Sequence, residues 1–491
     1  MSSLASVLSA VFAQAPSIEE VNARVDLDTQ ILTEQFYFFT VVIMWLIHVG
    51  FMAYEGGASR RKNIMSTAMK NILTIAVVTP SFYYFGWYIY GCFQPGGPAQ
   101  GHAGPSEFPG FCGATAPWSE AMGPNLQDHV SAVFFLAFLL FSWTTGSIMS
   151  GAVIERIRLS AYLILTTLLG SAVWIMDAAW GWSSGGWLVT NYGFHDAIAS
   201  LVVHGVAGAF ALGVLVNLGP RIGKYDFAGR ARTFRAHNTH LTLMGLMLIF
   251  TGFYGFYAAC LVIQSTIVPG WLNIYLSPAT LGAIAFVITV GFAGGFTGGW
   301  FASKGDPFWT LSGGLAGVIS VSAGADVYHP SLAYILAVTG GMVAVWSGLW
   351  IERRLRVDDA VGAVAVHGVC GFYGVLLVGI FAGGYPTGVN NIESSFGGQL
   401  MGMLAFFPLA FLPGYVASWI LKKLNLLRVP PEVELEGLDM AEFQADFFPE
   451  FERVPETIVL PTGEEVESAP VLLEAFSQVN GHGAAAPLER R

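Results

Sequence analysis

Charge is scarce in this chain. Only 11% of its 491 residues are Asp, Glu, Lys or Arg, while 54% are hydrophobic; soluble domains carry about 25% charged residues. That shortage excludes a water-soluble globular protein, because too little polar surface is left to face solvent. Lys and Arg are absent altogether from 93–129, 181–195, 264–276, 326–331 and 384–396. Cysteine is scarce as well, at four residues. Cys92 and Cys112 share one long loop, where a disulfide is permitted but not compelled. Cys260 and Cys370 lie inside apolar runs and read as small packing residues. The net charge of −11 gathers largely after Arg428. It offers no footing for nucleic acid and reads as a solvated acidic extension.

Long apolar runs are abundant. Runs of about 20 such residues are what a hydrocarbon core about 30 Å thick requires of a helix. Eleven spans are expected, over roughly 33–54, 72–92, 130–152, 160–180, 196–218, 239–263, 277–302, 307–325, 332–351, 360–383 and 397–421. The fold class is therefore an all-α polytopic membrane protein. The 59 glycines suit close helix packing through small residues, as in GFAGGFTGG.

Basic residues check the count. Arg60, Arg61, Lys62 and Lys70 follow the first span, Arg156 and Arg158 the third, and Arg221 to Arg235 the fifth. Lys304 follows the seventh, Arg353, Arg354 and Arg356 the ninth, and Lys422, Lys423 and Arg428 the last. These loops alternate with the ones that lack Lys and Arg, so positive-inside bias puts the basic loops in the cytoplasm. The N-terminus is then outside and the C-terminus inside. Three parts follow: an external arm over 1–32, a membrane domain over 33–424 and an acidic cytoplasmic tail over 425–491, whose last stretch, GHGAAAPLERR, reads as disordered. Near the start, SVLSAVFAQA fits a signal-peptide apolar region without its basic flank and fits a short apolar arm equally well.

One pattern recurs. Residues 196–208 read DAIASLVVHGVAG and residues 359–371 read DAVGAVAVHGVCG, identical at seven of thirteen positions. They fall in the fifth and tenth spans, which cross the membrane in opposite directions. This is an inverted repeat, and in such folds sites form where the halves meet near the midplane. Asp196 and Asp359, at the starts of their helices, read as N-caps. His204 and His367, eight residues on, lie about 12 Å inward at 1.5 Å per residue, so the pseudo-symmetry brings them face to face. A lone midplane histidine is usually a packed residue; a repeat-related pair points to a pathway. Three readings fit: a conduction path using imidazole hydrogen bonds, bis-histidine haem ligation, and a solute sensor signalling through the tail. Small residues flank both histidines, which disfavours haem, so no cofactor or metal is expected.

The motifs YEGGASRRKN (54–63), GAVIERIRLSA (151–161), GFYGFYAAC (252–260), LRVDD (355–359), VHGVCG (366–371) and LLRVPPEVELEGLD (426–439) occur in this order. Together they resemble the Amt/Mep/Rh ammonium transporter family, in its Amt branch, over roughly residues 33–440. The resemblance implies a homotrimer of eleven-helix subunits in the inner or plasma membrane, each with its own pore and a 5+5 inverted repeat. It implies ammonium or ammonia as substrate, with methylammonium as analogue, and no enzymatic activity. His204 and His367 match the family's paired pore histidines, and Asp196 the aspartate that supports the outer site. Trp180 matches the outer recruitment tryptophan, with Trp182 and Trp187 as neighbours that an alignment slip would substitute. Phe141 and Phe256 match the stacked phenylalanine gate, although as aromatics alone they would read as core or lipid-facing residues. In several members a PII-type nitrogen-signalling protein docks on the inner face, which makes that class a partner to test.

The outer site departs from the family pattern. Cys260 stands where a serine helps hold ammonium, and a thiol is the weaker hydrogen-bond partner. Tyr257 replaces an asparagine, and Ala137 stands where a second outer phenylalanine is expected, with Phe138 one position on. Asp177 replaces a histidine and reads either as a vestibule acid or as a local cap; Asp326 invites the same two readings. Two functions compete: a transporter that deprotonates ammonium and passes ammonia and a proton past the histidines, and a sensor with little flux. No kinase or cyclase sequence follows the last span, which favours transport. Gas conduction in the Rh manner is disfavoured by Trp180.

Overall fold

A computed structural model describes residues 17–93, 111–124, 130–264, 270–387, 393–445, 447, 457–459 and 465–467. The signal-like stretch and the C-terminal GHGAAAPLERR lie outside them, as does the side chain of Cys112. Among the described residues, ten helices are long and apolar enough to cross a membrane: α1 (Ile18–Ala58), α2 (Arg61–Phe93), α3 (Ser131–Ala152), α4 (Leu159–Gly181), α5 (Ser200–Leu218), α6 (Thr239–Ala258), α7 (Leu281–Ser303), α9 (Pro330–Leu355), α10 (Val364–Phe381) and α11 (Phe396–Lys423). The eleventh expected span is the apolar helix α8 (Pro307–Ser322), which is 16 residues long and nearly all buried after its first turn. Its start is set by Asp306, whose carboxylate accepts from the Trp309 N–H, with Pro307 at the first helical position.

Burial ranks the helices. Of the apolar 18-residue window in α5, 89% is buried, against 22% in α11, so α5 is central and α11 peripheral. α5 and α10 touch where both are small: a Cβ on Gly208 would lie 2.3 Å from the Gly368 Cα. Only glycine permits that backbone approach, and it is this approach that lets residues just before each glycine meet.

The first helix begins earlier than hydropathy indicates. Residues 18–32 are polar but helical, continuous with the first span, because Ser17 and Glu20 form a reciprocal capping box at Ile18. Residues 18–32, expected as part of an arm over 1–32, thus belong to α1. The membrane unit also runs on past residue 424, to Glu442. Hydrogen bonds explain why. The Arg158 N–H donates to the Leu427 carbonyl and the Val429 N–H to the Arg156 carbonyl, both at 3.0 Å. The Arg428 guanidinium donates to the Leu218 and Pro220 carbonyls and to Glu434. Asp439 accepts from the Met65 and Ser66 N–H groups at 3.0 and 2.8 Å, so a tail carboxylate caps the first α-turn of α2. The second unit, Phe443–Arg491, contains a short antiparallel pairing of Thr457–Val459 with Glu465–Glu467.

Most of the recurring motifs meet on this basic face. The Arg221 guanidinium grips Asp358 bidentately at 2.8 and 2.9 Å and reaches Glu155 at 3.3 Å. Arg60 pairs with Glu155 at 2.8 Å, and Arg156 donates to the Asp358 carbonyl at 2.6 Å. The motifs around Arg60, Glu155, Asp358 and Arg428 therefore carry structural roles that tie the loops and tail together.

Candidate functional site

The two repeat copies converge at one contact. The Nδ1 atoms of His204 and His367 are 3.1 Å apart, and the residues are 0% and 5% exposed. One imidazole must donate and the other accept, so the pair shares a proton. The Nε2 atom of His204 is buried and has no partner among the described residues, a position that strongly favours finding a hydrogen-bonding guest.

Each histidine sits in a widened, π-helical first turn, Ser200–Gly205 and Val364–Val369. The His204 N–H donates five residues back, to the Ala199 carbonyl. Such turns are rare and recur at functional sites. The aspartates stabilise them from outside the helix. Asp196 accepts from the N–H groups of Ser200, Leu201 and Val202 at 2.7, 2.7 and 2.9 Å. Asp359 accepts from Ala363 and Val364 at 2.9 and 2.7 Å. The expectation that each Asp starts its helix, with a regular eight-residue rise to the histidine, is corrected. The backbone turns first, through Ala199 at φ 60° in the fifth span and Gly362 at φ 77° in the tenth, and the histidines lie in the opening turns. The capping role itself is present in both copies.

A file of rings leads to the pair. Trp182 meets Phe141 at 5.0 Å between centroids, Phe141 meets Phe256 at 4.6 Å, and Phe256 meets His204 at 5.6 Å. Beyond the pair, His367 meets Phe51 at 6.4 Å. Phe141 and Phe256 stand edge to face, at 81°, not stacked as expected. Phe253, which sequence reasoning passed over, lies parallel to His204 at 8° and to Phe256 at 14°. Its spacing of three residues from Phe256 on a helix was the available signal.

Trp180 is not in this file: its ring packs on Trp187 at 5.8 Å. Trp182 is the tryptophan whose ring meets Phe141. The reason is local. α4 ends at Gly181, and Trp182 takes up φ −127°, ψ 46°, so its ring leaves the helical periodicity and turns inward, where its Nε1–H donates to the Ala197 carbonyl at 3.4 Å. Phe138 also packs on Trp182, at 5.5 Å.

The unusual outer residues divide. The Cys260 thiol donates to the Phe256 carbonyl at 3.2 Å within its own helix, so it is locally satisfied. The Tyr257 hydroxyl donates to the Val318 carbonyl at 2.9 Å and bonds Ser322, tying α6 to α8. Asp326 is a strap: it holds His195 Nε2 at 3.1 Å and accepts from Asn273 at 2.8 Å. Asp177 is wholly buried, and neither carboxylate oxygen has a partner among the described residues. Cys92 is disulfide-bonded, whereas Cys260 and Cys370 are free.

Known proteins carry the same arrangement of chain. Residues 35–447 match the model of the Ammonium Transporter Family. The chain is 30% identical over 430 residues to ammonium transporter Amt2 of Archaeoglobus fulgidus, covering 83% of this chain and 86% of that one. It superposes on a solved sensor Amt protein with a TM-score of 0.72 at 27% identity, over 85% of this chain and all of the other. The fold of Candida albicans Mep2 is also similar, with a TM-score of 0.66 at 22% identity over 89% and 94% of the two chains. The residues 35–447 that hold the ring file, the histidine pair and the tail strap thus place this all-α membrane protein in a family of transporters, not enzymes: the chain belongs to the ammonium transporter family.

Proposed function

We propose that the protein takes up ammonium by splitting it: a cation is recruited at the outer rings, ammonia passes the phenylalanines, and the proton travels by way of the histidine pair. The single observation that carries this reading is the His204–His367 contact at 3.1 Å, with the second nitrogen of His204 buried and without a partner among the described residues. Trp182, Phe138 and Phe141 are the recruiting faces, since an ammonium ion is drawn to aromatic rings by cation–π attraction. Trp182 is preferred to Trp180 because it is the tryptophan in ring contact with Phe141.

Energetics support a split substrate. Moving an intact cation through a dry, ring-lined path meets a Born cost on the order of tens of kcal/mol. Giving up the proton avoids most of it, and neutral ammonia can then hydrogen-bond to imidazole. Potassium has no proton to give up, so the same path rejects it. Positive-inside bias supports a cytoplasmic basic face and tail, with the N-terminus outside. We further propose a homotrimer, with a PII-type signalling protein as a partner to test at the basic face.

A second reading is favoured by the solved sensor Amt protein that the chain resembles: ammonium binding that signals through the tail with little flux. Currents across proteoliposomes on a solid-supported membrane separate the two. An ammonium pulse, or a methylammonium pulse, should evoke current. Intact trimers that give none would sink transport and favour the sensor.

A further inference from the structure

A buried carboxylate shares a cavity with His367, one member of the histidine pair. Glu55, on α1, is 1% exposed and is not used by the path described above. With Phe51, Tyr54, Ser312, Val366 and His367 it lines an enclosed space of about 10 Å³. That is room for about one water, and Tyr54, Glu55, Ser312 and His367, the polar residues of an otherwise apolar lining, supply the partners a buried water needs. The His367 Nδ1 is committed to His204, so Nε2 is the ring nitrogen left to serve this space.

Glu55 is held as an acceptor. The Ser150 hydroxyl donates toward its two carboxylate oxygens at 2.6 and 2.7 Å, and Asn71 Nδ2 donates at 3.0 Å. Three elements fix the group: its own helix α1, α2 through Asn71 and α3 through Ser150. The charged neighbours are Lys70 on α2 and, across Tyr54, Asp359 ahead of α10. Gly151 packs against the carboxylate: a Cβ there would lie 2.5 Å from Val361 Cγ2 and 3.1 Å from Glu55 Oε1. A packing residue at this position would not need a carboxylate, and burying one is costly unless it serves or is paired.

We propose that Glu55 is the proton acceptor on the basic-face side of the histidine pair. The step is a transfer without redox change. The N–H bond at His367 Nε2 breaks, a water in the cavity passes a proton on, and an O–H bond forms on Glu55. Imidazole is left neutral, and the carboxyl then releases its proton toward the basic face. This assignment rests on the transport reading and names the group that takes the charge onward.

The test uses full-length protein in liposomes with two readouts: current on an ammonium pulse, and ammonia permeation followed by a lumenal pH dye. Glu55→Gln keeps the shape and the hydrogen bonding of one oxygen but cannot take up a proton. It should lower the current at least tenfold while ammonia permeation persists, and Glu55→Asp should restore part of the current. Persisting permeation shows that the variant is folded. A wild-type current that Glu55→Gln leaves intact overturns the assignment alone; parallel loss of current and permeation, unrescued by Asp, overturns it in favour of a structural role. Wild-type protein without current overturns the transport reading and this step with it.

Discussion

His204 and His367 face each other through like atoms, Nδ1 to Nδ1 at 3.1 Å. Two identical nitrogens can bond only if one carries the proton, and the two neutral arrangements differ both in that proton and in which ring is protonated at Nε2, so the shared proton crosses only as one ring gains a proton at Nε2 and the other loses one. A proton arriving at one ring is thereby coupled to the other. Replacing either histidine with alanine should abolish current that is selective for ammonium over potassium, either by removing current or by admitting potassium. Parallel ammonium and potassium pulses on His204→Ala and His367→Ala decide it; selective current in both would be incompatible with a role for the pair.

The outer tryptophans differ in a testable way. Trp182 contacts Phe141 and Phe138, whereas Trp180 packs on Trp187. Cation–π attraction of about 0.5–2 kcal/mol corresponds to a change of about 2- to 30-fold in half-saturating ammonium concentration on Trp182→Ala. Trp180→Ala should leave it unchanged. Concentration series of the pulse current measure both, and the reverse ranking would restore Trp180 to the recruiting role.

The helix crossing should be intolerant of bulk. A Cβ at Gly208 meets the backbone of Gly368 at 2.3 Å, and backbone cannot swing aside as a side chain can. Overpacking costs about 1–3 kcal/mol, and the shift would separate His204, one turn before Gly208, from His367, which immediately precedes Gly368. Gly208→Ala should lower both the unfolding temperature in detergent and the ammonium current. An unchanged unfolding temperature would mean that the crossing relaxes freely.

The ion cluster on the basic face predicts a pH dependence. Burial alone would raise the Asp358 carboxyl, but Arg156 and the bidentate Arg221 override it and hold the group below its usual range. A carboxyl depressed by folding stabilises above its unfolded pKa of about 3.9, and that contribution is lost as pH falls through the lower folded value. At pH 7, Asp358→Asn should destabilise by about 3–5 kcal/mol, since it strands buried cations. The gap between wild type and variant in thermal unfolding should hold constant down to pH about 4 and narrow below. A gap that does not depend on pH would assign the loss to packing.

Much of this was legible in the sequence, for identifiable reasons. Spans follow from hydropathy and loop charge, neither of which depends on tertiary context, and the histidine pair follows from a repeat long enough to specify direction. What escaped depends on geometry beyond a helix. Trp182 leaves α4 at its last turn, so periodicity could not aim its ring. The widened turns at Ser200 and Val364 come from carboxylates reaching across a bend, which no residue spacing declares. The helical start at Ile18 was different. Its capping box, Ser17 with Glu20, stood in the sequence but was hidden by the polarity of the residues that follow. Glu55 sat within a quoted motif, and only the cavity it shares with His367 gives it a purpose.

Charge is proposed to cross because ammonium gives up its proton before the phenylalanines and that proton travels by way of the histidine pair. The most direct measurement compares currents from wild-type proteoliposomes on equal pulses of ammonium and potassium. The account predicts a current with ammonium, still present with potassium on both sides, and none with potassium alone. Equal currents from the two ions would show an intact cation passing, and would contradict it.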